Sequence, residues 1–122
     1  MANEITLNLS LAVTNGKMKQ RFEPGAISVT QSAAEAYAPV VSVGTSEEDL
    51  PVGDVATVGF LCVQNLDATN YVTYGPKSGG SMVAFGRIKP GEVAILRLEP
   101  GVTLRWVANT GAVKVQTLLL GN

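Results

Sequence analysis

From residue 5 to residue 13, large apolar side chains occupy every second position. Ile5, Leu7, Leu9, Leu11 and Val13 alternate with Thr6, Asn8, Ser10 and Ala12. A period of two does not fit a helix and places these five side chains on one face of a long strand. Asn15-Gly16 follows, a dipeptide suited to the positive φ of a hairpin turn. Residues 17–22 are therefore expected to return as a second strand. Pro24-Gly25 is expected as a further turn, with a short strand over 26–30.

The same grammar runs through the rest of the chain. Residues 34–43 are ambiguous, because Ala33, Ala34, Glu35 and Ala36 have helix propensity. Pro39 confines any strand there to an edge, a bulge or a strand start. Residues 44–54 are expected as a connection with one helical turn, capped by Thr45 or Ser46 and with Glu47 and Glu48 near its positive end. Strands are expected over 58–66, 71–74, 82–88, 92–99, 103–108 and 113–120. Asp67-Ala68-Thr69-Asn70, Pro90-Gly91, Pro100-Gly101 and Asn109-Thr110-Gly111 punctuate them, 75–81 is expected as a loop, and Gly86 marks a bulge or close approach. Turn signals recur about every 8–12 residues, the spacing of a sandwich or barrel. No long amphipathic helix separates them, which disfavours a parallel sheet. The expected fold is all-β: an antiparallel β-sandwich of eight or more strands, jelly-roll-like, with an N-terminal strand or arm. The expected organisation is one domain over 1–122, with the arm in 1–43 and the core in 55–122.

The 122 residues suffice for one domain with a real core, and 46% of them are hydrophobic. Only 16% are charged, which leaves little charged surface and points towards surface covered by partners or by copies of the same chain. The net charge of −1, with no basic run, excludes the electrostatic footprint of nucleic-acid binding. No apolar stretch reaches 18 residues, so no membrane-spanning helix is expected. Met1-Ala2-Asn3-Glu4 does not read as a signal peptide. A single cysteine, Cys62, forms no intramolecular disulfide and suits a reducing cytosol.

Catalytic chemistry finds few candidates. The chain has no His, which removes the usual general base and the commonest transition-metal ligand. Cys62 sits in an apolar strand-like run and is expected as a small buried hydrophobe rather than a nucleophile. Glu47, Glu48, Asp49 and Asp54 match no calcium-loop spacing and are expected to be a solvated connection. Gly75-Pro76-Lys77-Ser78-Gly79-Gly80-Ser81 lacks the Gly-Lys-Ser/Thr ending of a phosphate loop. Tyr71, Tyr74 and Trp106 present a sugar-platform alternative, but a lone Trp between Leu104 and Ala108 on an alternating strand reads as core. No catalytic, cofactor or metal residues are assigned.

Residues 57–120 carry a resemblance. Its markers are the run GFLCVQNLDATNYV from Gly59 to Val72, then Ile88-Lys89-Pro90-Gly91-Glu92, Ala94-Ile95-Leu96-Arg97-Leu98 and Thr103-Leu104-Arg105-Trp106-Val107-Ala108-Asn109. With Gly44-Thr45-Ser46-Glu47-Glu48 upstream, this resembles small structural proteins encoded in tailed-bacteriophage genomes. The resemblance implies a capsid cement or decoration protein without enzymatic activity. Such a protein is made in the host bacterial cytoplasm and seated on the virion exterior, at junctions between major capsid subunits, as a homotrimer. The partners implied are the phage major capsid protein and copies of the chain itself. Ile5, Leu7, Leu9, Leu11 and Val13 are the candidate assembly interface, with a further core strand as the competing reading. A tail, baseplate or fibre component with a receptor-binding role is the alternative, and a carbohydrate-active β-sandwich the remote one.

Overall fold

A computed structural model describes residues 2–122, which contain twelve strands and no helix. They divide into two compact units, Met1–Ser32 and Ala33–Asn122. The dividing point thus lies at Ser32, not in the connection after residue 43. Residues 36–50, expected to belong partly to the arm, supply strands and buried side chains of the second unit.

The first unit is a two-stranded antiparallel hairpin of β1 (Ile5–Asn15) and β2 (Met18–Val29). Asn15 pairs with Met18, so Gly16 and Lys17 form the turn, and Gly16 takes φ 59°. Pro24-Gly25 is not the expected turn. It lies inside β2, where the register slips: Leu9 pairs with Gly25 and Leu11 with Phe22, leaving one residue on β1 against two on β2. This is a β-bulge. Pro24 is tolerated because a bulge frees an amide from the ladder, and Gly25 supplies φ 80° at no steric cost. At the open end the backbone N–H of Gln31 donates to Glu4 Oε1 at 3.1 Å.

In the second unit the short strands β3 (Ala36–Tyr37) and β4 (Val40–Val43) flank Pro39, whose carbonyl accepts from both the backbone N–H and the hydroxyl of Thr117. β5 (Glu48–Asp49) replaces the expected helical turn, because it finds a partner in β11 that local propensity does not reveal. The series continues with β6 (Val58–Asn65), β7 (Val72–Ser78), β8 (Ser81–Met82), β9 (Gly86–Ile88), β10 (Val93–Arg97), β11 (Leu104–Ala108) and β12 (Val113–Gly121). The expected 75–81 loop is the end of β7 turning into β8 through Gly79 and Gly80. Both have positive φ, as a type I′ turn requires.

Four nested antiparallel pairs organise this unit: β4 with β12, β5 with β11, β6 with β10 and β7 with β9. β6 also pairs with β12, and β7 with β11. The sheets therefore read β10-β6-β12-β4, with β3 on the far end of β12, and β5-β11-β7-β9, with β8 extending the β7 edge. A long hairpin rolled up in this order is an eight-stranded jelly roll.

Alternation along each strand decides what lies between the sheets. Leu61, Val63 and Asn65 of β6, with Val113, Val115, Thr117 and Leu119 of β12, point inward from one sheet. Val72, Ile88, Leu104, Trp106 and Ala108 meet them from the other. Trp106 is 1% exposed, so the expected core role holds, and each such side chain contributes about 1.5–3 kcal/mol by burial.

Candidate assembly surface

In an antiparallel pair, residues directly opposite each other share a face. On β1 one face is Ile5, Leu7, Leu9, Leu11 and Val13, opposite Val29, Ile27, Gly25, Phe22 and Gln20, with Met18 opposite Asn15 at the tip. The bulge makes this possible. Met18 and Phe22 are even-numbered, Ile27 and Val29 odd-numbered. A regular strand would send them to opposite faces, and one extra residue at the slip brings them to the same one. The reverse face pairs Thr6 with Ser28, Asn8 with Ala26, Ala12 with Arg21 and Thr14 with Lys19. The hairpin is thus apolar on one side and polar and charged on the other, where Arg21 pairs with Glu23 at 3.3 Å.

The five expected interface residues do share a face, and their exposure is graded. Ile5 is buried and Leu7 half-buried, whereas Leu9, Leu11 and Val13 are 38%, 71% and 41% exposed. The β2 contribution was missed from sequence: Phe22 is 64%, Met18 50% and Ile27 37% exposed. The available signal was the change of alternation phase across Pro24-Gly25. The two edges also differ. From Ile5 to Asn15, β1 carries no charge and no proline, while β2 carries Lys19, Arg21, Glu23, Pro24 and the bulge. Charges, proline and bulges are the devices that guard an open edge against strand addition, and only β2 has them.

The jelly roll has a second apolar surface, the outer face of its first sheet. Ile95, Cys62 and Leu118 stand in one row across β10, β6 and β12, flanked by Val93 and by Phe60. Leu118 is 41% and Val93 53% exposed, and the Arg97 guanidinium lies 4.4 Å from the Phe60 ring centroid. Cys62 belongs to this outer face and is half-buried, not a core residue as expected. β6 alternates, and Leu61 and Val63 take its inward positions. Partial burial raises the Cys62 thiol above its ordinary pKa, which lowers the thiolate fraction a nucleophile needs.

The remaining chemical candidates are held by structural contacts. Arg105 Nε donates to Asp49 Oδ1 at 2.7 Å, and its Nη1 reaches Glu47 Oε1 at 3.3 Å and the Gly80 carbonyl at 2.9 Å. Met82 N–H donates to Glu47 Oε1 at 2.8 Å. These contacts strap the β7–β8 turn across the second sheet. Among the described residues no three His, Cys, Asp or Glu side chains converge as a metal site. Trp106 lies inside, Tyr74 packs against the core, and Tyr71 lies under the Arg87 guanidinium at 3.9 Å, so the three form no common platform. Phe85, 74% exposed, meets Tyr74 edge-on at 6.3 Å. A cleft of about 440 Å³ at one end of the sandwich is lined by Leu50, Val55, Leu98 and Val102, with Asp49 and Glu99 at its polar positions.

The sequence Asn65 to Asn70, central to the resemblance, forms the turn at one end of the sandwich. Asn65 is fully buried. Its Nδ2 donates to the carbonyls of Asn70 at 3.0 Å and Ile88 at 2.9 Å, and its Oδ1 accepts from Asp67 N–H at 2.7 Å. Asp67 Oδ2 in turn accepts from the N–H groups of Thr69 and Asn70. These bonds hold the turn, and the residues that make them determine the fold.

Fold and surfaces together define a jelly-roll sandwich joined in sequence to an amphipathic hairpin. No protein-family model matches the chain, and no curated protein matches it.

Proposed function

We propose that the protein is a non-catalytic structural component of a bacteriophage virion, in the role of a capsid cement protein on the shell exterior at junctions of the major capsid subunits. The observation that carries this reading is the hairpin. A two-stranded hairpin is marginal in water on its own, and this one turns Leu11 and Phe22 outward on an otherwise uncharged face. Such an element gains stability by being covered, which is what an assembly contact supplies. Jelly rolls serve capsids, lectins and cupins alike, so the fold by itself selects no function. The phage assignment draws on the resemblance of residues 57–120. The non-catalytic part is supported by the chain's lack of His, the raised Cys62 thiol and the pairing of Glu47 and Asp49 with Arg105.

Quantitative mass spectrometry of purified particles tests the reading. A cement protein is present at a copy number close to that of the major capsid protein. A handful of copies per particle would instead support a tail, baseplate or fibre component, a reading that the exposed Phe85 beside Tyr74 favours. Absence from particles would overturn both.

A further inference from the structure

We propose that the apolar face of the β1–β2 hairpin is covered by the same face of a second copy of this chain, across a two-fold axis. The inference rests on reading the hairpin as the assembly element and names what covers it. Leu9, Leu11, Val13, Met18, Phe22 and Ile27 are 37% to 71% exposed. Side chains of this size leave on the order of 600 Å² of apolar surface, so two faces bury about 1,200 Å², the lower end of a stable interface.

The face is also complementary to itself. Gly25 leaves the position opposite Leu9 without a side chain, and a Cβ built there would meet nothing. The next pair along the same face is Leu11 with Phe22, and Phe22 is among the most exposed apolar side chains of the hairpin. A knob and a notch therefore stand about 7 Å apart on one face. A two-fold axis lying across the strands between these pairs seats each Phe22 over the Gly25 of the other copy. An isologous contact needs this kind of self-matching patch and closes at two copies, not at the three that the resemblance implies. Lys19 and Arg21 lie on the reverse face and stay in water, so the contact buries no unpaired charge.

Light scattering on the purified full-length chain reads the association. The expected mass at tens of micromolar is about twice 12.7 kDa. Phe22→Asp is expected to return it to 12.7 kDa, while Arg21→Asp on the reverse face leaves the dimer intact. The urea transition followed by Trp106 fluorescence stays unchanged in both, which separates lost pairing from lost folding. A short bis-maleimide on Leu11→Cys is expected to join two copies of that same peptide. A wild-type monomer, a three-copy mass, a dimer indifferent to Phe22→Asp, or a cross-link running to Cys62 on the sheet face would each overturn the proposal. Particle copy number is independent of these outcomes. A monomer abundant on particles sinks the pairing and spares the cement reading, and a dimer absent from particles does the reverse.

Discussion

Asn65 on β6 donates a hydrogen bond of 2.9 Å to the carbonyl of Ile88 on β9, and so ties one sheet of the sandwich to the other from inside the core. Its second amide hydrogen goes to Asn70, and its own backbone exchanges bonds with Gly91 and Glu92. One fully buried residue therefore joins two turns at the same end of the roll, 65–70 and 88–92.

Asn65→Leu keeps the approximate volume but leaves the Ile88 and Asn70 carbonyls and the Asp67 amide without their partner. We expect a loss of about 2–4 kcal/mol, because unsatisfied buried groups cost more than the bonds they replace. Urea unfolding followed by Trp106 fluorescence measures it. Unchanged stability would show that the bridge contributes nothing.

Acid sensitivity follows from two carboxylates. Asp67 is held below its ordinary value of 3.8 by the backbone N–H groups of Asn70 and Thr69. Asp49 is held below 3.8 by the hydrogen bond from Arg105, with Lys77 adding to it. Both bind a proton less readily folded than unfolded, so their stabilisation is present above 3.8 and is lost as pH falls through the lower folded values. The urea midpoint should stay level from about pH 7 to pH 5 and decline below about pH 4. Asp67→Asn should flatten the decline. With no His in the chain, no step is expected near pH 6.

Gly75 is required by close approach. A Cβ there would overlap the Val83 carbonyl, where the 82–86 segment crosses β7 with Val83 N–H bonded to Pro76 and Phe85 N–H to Tyr74. Gly75→Ala is expected to cost about 1–3 kcal/mol by overpacking. Hydrogen exchange should quicken at the Val83 and Phe85 amides first. Unaltered protection there would contradict the steric account.

Removing residues 1–32 leaves the whole jelly roll, including β3, β4 and the buried Val43 and Leu50. The 33–122 chain is expected to unfold in one cooperative urea transition and to lose self-association and particle binding. An isolated 1–32 peptide should show little stable structure, as two-stranded hairpins do. Loss of cooperativity in the 33–122 chain would make the hairpin part of the core.

Much of the fold was legible because a strand with one buried face advertises it every second residue. That held for β6, β11 and β12, and for the turn at 67–70, whose Asn and Asp side chains bond nearby backbone. β5 was not legible. Two residues carry no periodicity, and only pairing with Arg105 and Trp106 makes Glu48 and Asp49 a strand. Cys62 was misplaced because an apolar run looks the same whether both faces of its sheet are covered or one is exposed.

The sequence alone determined the alternation in β1, a chain reversal at Gly16, the all-β class and the inward position of Trp106, since these depend on local period and turn chemistry. The reversal itself falls on Gly16-Lys17, one residue beyond the expected Asn15-Gly16, because Asn15 pairs with Met18. Tertiary structure decided the rest. Pro24-Gly25 has the same composition as a turn or as a bulge, and only the ladder with β1 selects the bulge. That one-residue slip moves Phe22 and Met18 onto the face of Leu9 and Leu11. It turns a stripe on one strand into a two-stranded apolar surface, because side-chain direction depends on register, and register is a property of the pair.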